Sequence, residues 1–96
     1  MHIEETIREK RDEIIRIAAR HGVKRVRVFG SAARAQARPD SDVDFLVEVE
    51  GPTPPWFPGG LVAELEQLLG RRVDVVEPEA LSERLRENVL KDAIQL

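Results

Sequence analysis

Hydrophobic positions along the chain change period several times, and each change predicts a new element. Ile3, Ile7, Ile14, Ile17 and Ala18 recur at helical spacing among charged residues, which predicts one amphipathic helix from Ile3 to His21. Gly22 then supplies the left-handed residue on which helices commonly stop. Val23-Lys24-Arg25-Val26-Arg27-Val28-Phe29 is β-branched and alternating and predicts a strand. Gly30-Ser31 makes a tight turn into the helix-compatible run Ala32-Ala33-Arg34-Ala35-Gln36, and Pro39-Asp40-Ser41 is turn chemistry. After it Val43, Phe45, Val47 and Val49 fall on one face of a strand, with Asp44, Leu46, Glu48 and Glu50 on the other. The short connection makes this second strand an antiparallel neighbour of the first.

Residues 51–60 hold four of the six prolines and three of the six glycines, so the reading there is a surface loop. Leu61, Leu65, Leu68 and Leu69 mark an amphipathic helix stopped by Gly70, followed by a short strand over Arg72–Val76. Pro78 starts a last helix whose expected buried stripe is Leu81, Leu85, Val89 and Ala93. The predicted order is αβαβαβα. This is an α/β (α+β) chain in which helices flank a small mixed sheet, folded as one domain over residues 1–96.

Composition narrows what such a domain can do. At 96 residues, 42% hydrophobic and 34% charged, it can build one modest core, so a ligand should sit on an open face rather than in a deep enclosed pocket. The absence of cysteine removes disulfides, thiolate nucleophiles and Cys-ligated metals, and only His2 and His21 offer imidazole. A metal site must therefore be built from carboxylates. The net charge of −3 gives no overall attraction to nucleic acid or an anionic membrane, and neither partner is expected. The first residues lack a targeting pattern and no run is long and apolar enough to span a bilayer, so the expected location is the cytoplasm.

Charge order points to the chemistry. Lys24 to Arg38 contains five basic residues and no acid, and Asp40 to Glu50 contains five acids and no base. Such segregation suits a polyanion bound together with divalent cations. Within it Gly30-Ser31 is followed, ten residues on, by Asp42-Val43-Asp44. Residues i and i+2 of a strand project from one face roughly 6–7 Å apart, so both carboxylates can hold one or two metal ions. Glycine lets a phosphate approach the backbone at the turn, where Ser31 adds a hydroxyl and Arg34, one turn later, a planar guanidinium. Asp74 supplies a third carboxylate. If its strand pairs beside Asp42 and Asp44, it can complete the metal site and accept a proton from an attacking hydroxyl.

Phe29-Gly30-Ser31-Ala32-Ala33-Arg34, followed by Ser41-Asp42-Val43-Asp44-Phe45-Leu46-Val47, resembles the minimal nucleotidyltransferases of the DNA polymerase beta superfamily. The resemblance covers nearly the whole chain, including Gly70-Arg71-Arg72-Val73-Asp74-Val75-Val76, where that family carries its third aspartate. It implies a palm-like fold in which Asp42, Asp44 and Asp74 hold two magnesium ions, or manganese in their place. Gly30, Ser31 and Arg34 would bind ATP. It further implies a HEPN-domain toxin as partner, with AMP moved to a toxin tyrosine. Ala35 stands where the family usually has glycine, so a positive φ there would be strained and the aim of Arg34 depends on it.

Each feature also has a plainer reading. An isolated Asp-x-Asp is more often a solvated strand end than a metal site, and only its coincidence with the Gly-Ser turn, the ten-residue gap and Asp74 favours catalysis. Arg25 and Arg27 read as the solvent face of a strand. Trp56 and Phe57 could stack on a base or dock on a partner, but loop aromatics more often fold back on the core. His21 reads as a helix-end residue without chemistry and His2 as part of a fraying terminus. A phosphatase using Asp-x-Asp is excluded because the strand continues through Phe45-Leu46-Val47. The rival that stands is a non-catalytic antitoxin that keeps the fold and masks a partner protein.

Overall fold

The computed structural model describes residues 4–34 and 41–96. The elements are α1 (Glu5–Glu9), α2 (Arg11–Arg20), β1 (Val23–Phe29), a 3-10 turn (Gly30–Arg34), β2 (Val43–Val49), α3 (Gly59–Leu69), β3 (Val73–Val76), a second 3-10 turn (Pro78–Ala80), α4 (Glu83–Asp92) and β4 (Ile94–Gln95). They form a four-stranded mixed sheet of order β3-β2-β1-β4 with flanking helices. β1 pairs antiparallel with β2 and with β4, as the short β1–β2 connection requires, while β3 runs parallel to β2. A parallel neighbour needs a crossover, which α3 provides.

One face of the sheet carries the core. Val26 and Val28 of β1, Val43, Phe45 and Val47 of β2, and Val73 and Val75 of β3 bury against Ile7, Ile14, Ala18, Leu61, Leu65 and Leu69. Val23 joins them although it is three residues before Val26. An irregularity in the β1–β2 register between Val23 and Arg25 absorbs the extra residue. Gly70, at φ +66°, ends α3 as expected, its N–H donating to the Glu66 carbonyl at 2.8 Å. Among the described residues no helix is long and apolar enough to cross a membrane.

Several expectations need correction. The helix predicted over Ile3–His21 is two, hinged at Lys10, whose N–H is shared between the Thr6 and Ile7 carbonyls and whose ψ of 13° turns the chain out of the first helical run. The helix expected from Ala32 is a 3-10 turn over Gly30–Arg34; Ala35, Gln36 and the Pro39-Asp40 turn lie outside the described residues, as do His2 and Ile3. Gly59 and Gly60 open α3 rather than close the loop, because the Pro54–Pro58 turn already ends with Gly59 donating to the Trp56 carbonyl at 2.7 Å. β2 stops at Val49 and β3 begins at Val73, one residue inside each predicted span. The stripe Leu81, Leu85, Val89 and Ala93 is not buried: α4 has no buried residue, and Leu85 is 48% exposed. β4 is an element the pattern did not predict. Trp56 does not fold back but stands 72% exposed, whereas Phe57 does pack on the core. Leu46, on the polar side of β2, is fully buried.

Candidate active site

The chemistry-bearing residues gather where β1 ends and β2 and β3 begin. Phe29 is the register partner of Asp44, so the chain leaves β1 into Gly30 directly beside that carboxylate. Gly30 has φ +73°, and a Cβ added there would lie 2.5 Å from Asp44 Oδ2. Only glycine lets the turn and the carboxylate share this space, and any other residue would also be strained at that φ. Ser31 and Arg34 continue the 3-10 turn; Ser31 is half-buried, and the Arg34 side chain lies outside what the structure describes.

Asp44 and Asp74 are direct partners in the parallel β2–β3 ladder, so both carboxylates rise from the same face of the sheet. Asp42 sits exposed one residue before β2. Burial pushes the Asp44 carboxyl above its ordinary range, and the negative charges of Asp74 and then Asp42 push it further. Among the described residues no three His, Cys, Asp or Glu side chains are drawn close enough to cage an ion unaided. The donor set nonetheless fits a hard divalent cation. It is all carboxylate oxygen, and its members repel one another in a way that a cation would relieve.

The surroundings hold this edge in place. Glu66 of α3 accepts from the Val73 N–H at 3.0 Å, fixing the first residue of β3, and Val43 N–H donates to the Arg72 carbonyl at 2.9 Å. Arg71 reaches back to Glu4 and to the Ser41 carbonyl. Sequence reasoning missed Glu4, Glu66 and Arg71, since a charge among many charges gives no sign of a partner 67 residues away. Across the sheet Arg27 and Arg25 pair with Glu48 at 2.7 and 3.2 Å, which agrees with their reading as a solvated strand face. His21 caps α2 and bonds Glu64, far from the aspartates, and takes no part in the site.

Comparison with known proteins matches this arrangement along almost all of its length. The nucleotidyltransferase domain model matches residues 7–96. The protein adenylyltransferase MntA of Thermococcus cleftensis is 40% identical over 75 residues, which cover 78% of this chain and 76% of that protein. A solved structure assigned as a minimal nucleotidyltransferase superposes with a TM-score of 0.86 at 49% identity, covering 99% of this chain and 98% of that one. The complex of a tri-AMPylated HEPN toxin with its MNT antitoxin from Shewanella oneidensis holds a chain with a TM-score of 0.70 at 20% identity. That match covers 92% of this chain and 69% of the other and is a likeness of fold alone.

Proposed function

Because the chain belongs to the nucleotidyltransferase domain family, we propose that it is a protein adenylyltransferase that moves AMP from ATP to a hydroxyl of a partner protein. The observation that carries the reading is the pairing of Asp44 with Asp74, with Asp44 directly against Gly30, which sets two carboxylates beside the glycine turn. The Thermococcus relative, named for the same activity, supports a protein as acceptor.

In this reading Gly30 and Ser31 present backbone N–H and hydroxyl to the triphosphate, with Arg34 as a further cation. Asp42, Asp44 and Asp74 would hold magnesium or manganese, whose two positive centres would neutralise the triphosphate and clamp the attacking and leaving oxygens. The acceptor oxygen bonds to the α-phosphorus while the bond from that phosphorus to the β-bridging oxygen breaks, and pyrophosphate leaves. Asp74, exposed at the edge of the site, takes the acceptor proton.

The acceptor we assign is a tyrosine of a HEPN-domain toxin. The chain itself contains no tyrosine, so such an acceptor must come from another molecule. The Shewanella complex, in which a chain of this fold accompanies an AMP-carrying HEPN toxin, supports that partner. Docking the acceptor on an open site gains the proximity term, which can supply about 7–11 kcal/mol of a barrier.

The test is to incubate the chain with ATP, Mg2+ and the product of the neighbouring gene, or a HEPN-domain protein in its place, and read the intact mass of both. The expected result is an AMP adduct on the partner with wild type and none with Asp44→Asn. A tight complex without adduct, while ATP and metal bind, would replace the reading with a masking antitoxin.

A further inference from the structure

Two charged side chains that the proposed chemistry does not use are withdrawn from solvent: Arg71 retains 7% of its side-chain exposure and Glu4 18%. Their guanidinium and carboxylate are paired. Arg71 Nε also donates to the Ser41 carbonyl at 2.9 Å, and Ser41 immediately precedes Asp42. From the other end, the Glu4 backbone N–H donates to the Ala32 carbonyl at 3.1 Å, and Ala32 immediately follows Ser31. A chain of polar contacts thus runs from the phosphate-side turn through Glu4 and Arg71 to the residue before the first aspartate. Arg71 is itself three residues before Asp74.

We infer that Arg71, tied to Glu4, is a positioning residue that sets Asp42 against the Gly30–Ser31 turn; this rests on the nucleotidyl-transfer reading above. Asp44 and Asp74 are fixed by the β2–β3 ladder, whereas Asp42 lies one residue outside it: the Val43 N–H bond to the Arg72 carbonyl holds its C-terminal side, and the Arg71 bond to the Ser41 carbonyl holds its N-terminal side. Stability alone explains the pair poorly. A buried ion pair is commonly no more stabilising than apolar residues of similar volume. Here Glu4 Oε2 is also buried without a hydrogen-bond partner among the described residues, a cost that an apolar pair would avoid. What apolar residues cannot do is hold the Ser41 carbonyl in one direction. Outer contacts that orient ligating carboxylates typically change metal affinity 10–100-fold.

The experiment compares wild type, the double variant Glu4→Leu/Arg71→Met, and Arg71→Lys. It measures thermal unfolding without metal and Mn2+ affinity in the presence of ATP. The double variant restores apolar packing, while Arg71→Lys keeps a cation for Glu4 but loses the planar fork that also reaches Ser41. The expected result is folded protein in both cases, with Mn2+ bound at least about 10-fold more weakly than by wild type. Wild-type Mn2+ affinity in the double variant would overturn the inference, since packing would then be the pair's whole role. Should that variant fail to fold, Arg71→Lys decides on the same criterion. An Asp42→Asn control separates the two readings. If wild type binds no Mn2+ with ATP, or Asp42→Asn binds it equally well, the nucleotidyl-transfer site fails and the strut with it. Loss in Asp42→Asn together with full affinity in Arg71→Lys overturns the strut alone.

Discussion

The two faces of the sheet divide the work of the molecule. On one, Phe45, Val43 and Val47 are sealed under α2 and α3. On the other, Asp44, Asp74, Glu48 and Arg27 meet solvent, Leu46 alone of the β2 residues on that side is fully buried, and α4 has no buried residue of its own. In the proposed reading these carboxylates receive a cation and a triphosphate, and a helix drying them would oppose that, because desolvation already raises Asp44. The fold therefore draws its stability from the side that does no chemistry.

The largest effect should come from breaking the sealed face. Phe45→Ala should lower unfolding free energy by about 3–5 kcal/mol, and Leu85→Ala on α4 by about 0.5 kcal/mol or less, both read from urea transitions. Equal losses would end the distinction between the faces.

Next comes Asp44→Asn on the open face, which should abolish transfer while making the metal-free protein somewhat more stable. Asp44 has a folded pKa above its unfolded value of about 3.9. Its ionisation therefore costs nothing well below that value, and the cost grows as pH rises through the raised one. The stability gained by the variant should accordingly appear only above about pH 4, grow until the pH passes the raised value and stay level beyond it. A gain that shrank with rising pH would contradict the assigned repulsion.

The smallest effect belongs to Glu48, whose carboxyl is held below its ordinary range by its hydrogen bond to Arg27 and the charge of Arg25. Glu48→Gln should cost about 1 kcal/mol at neutral pH, since the pair is part-buried yet keeps 20% and 28% of its side-chain exposure and is partly screened. Because the folded value is depressed, that contribution is present above the unfolded pKa of about 4.3 and fades as pH falls through the lowered one. High salt should weaken it as well.

Much of this was legible because it is local. The alternation in β1 and β2, the stops at Gly22 and Gly70, and the Gly-Ser turn before Asp-x-Asp all depend on residues a few positions apart. So does the antiparallel pairing forced by a short connection. Even the neighbouring of Asp44 and Asp74 could be framed as a condition, namely that β3 lie beside β2. What escaped depends on distant surroundings. Nothing at Lys10 is a helix breaker, so the hinge was silent. Ile94-Gln95 is too short to carry a period and is a strand only because β1 offers it an edge. Leu81, Leu85 and Val89 have helical spacing, yet no layer closes over them, and Leu85 stays 48% exposed. Arg71 and Glu4 are residue types that normally stay in water, and only the fold reveals that they do not.

Trp56 gives the molecule an optical property that follows from its place. It is the sole tryptophan in a chain without tyrosine, so near-ultraviolet absorption and emission come almost wholly from one side chain, and that side chain is 72% exposed. Its indole already resembles the unfolded state, so denaturation should shift its emission little and circular dichroism is the better monitor of folding. It also sits past the far end of β2 from Asp42, about 20 Å away along a seven-residue strand. Nucleotide binding should leave its spectrum unchanged. A blue shift on mixing with another protein would then signal dehydration of the Trp56 loop itself, and would separate docking at that pole from occupancy of the acidic one.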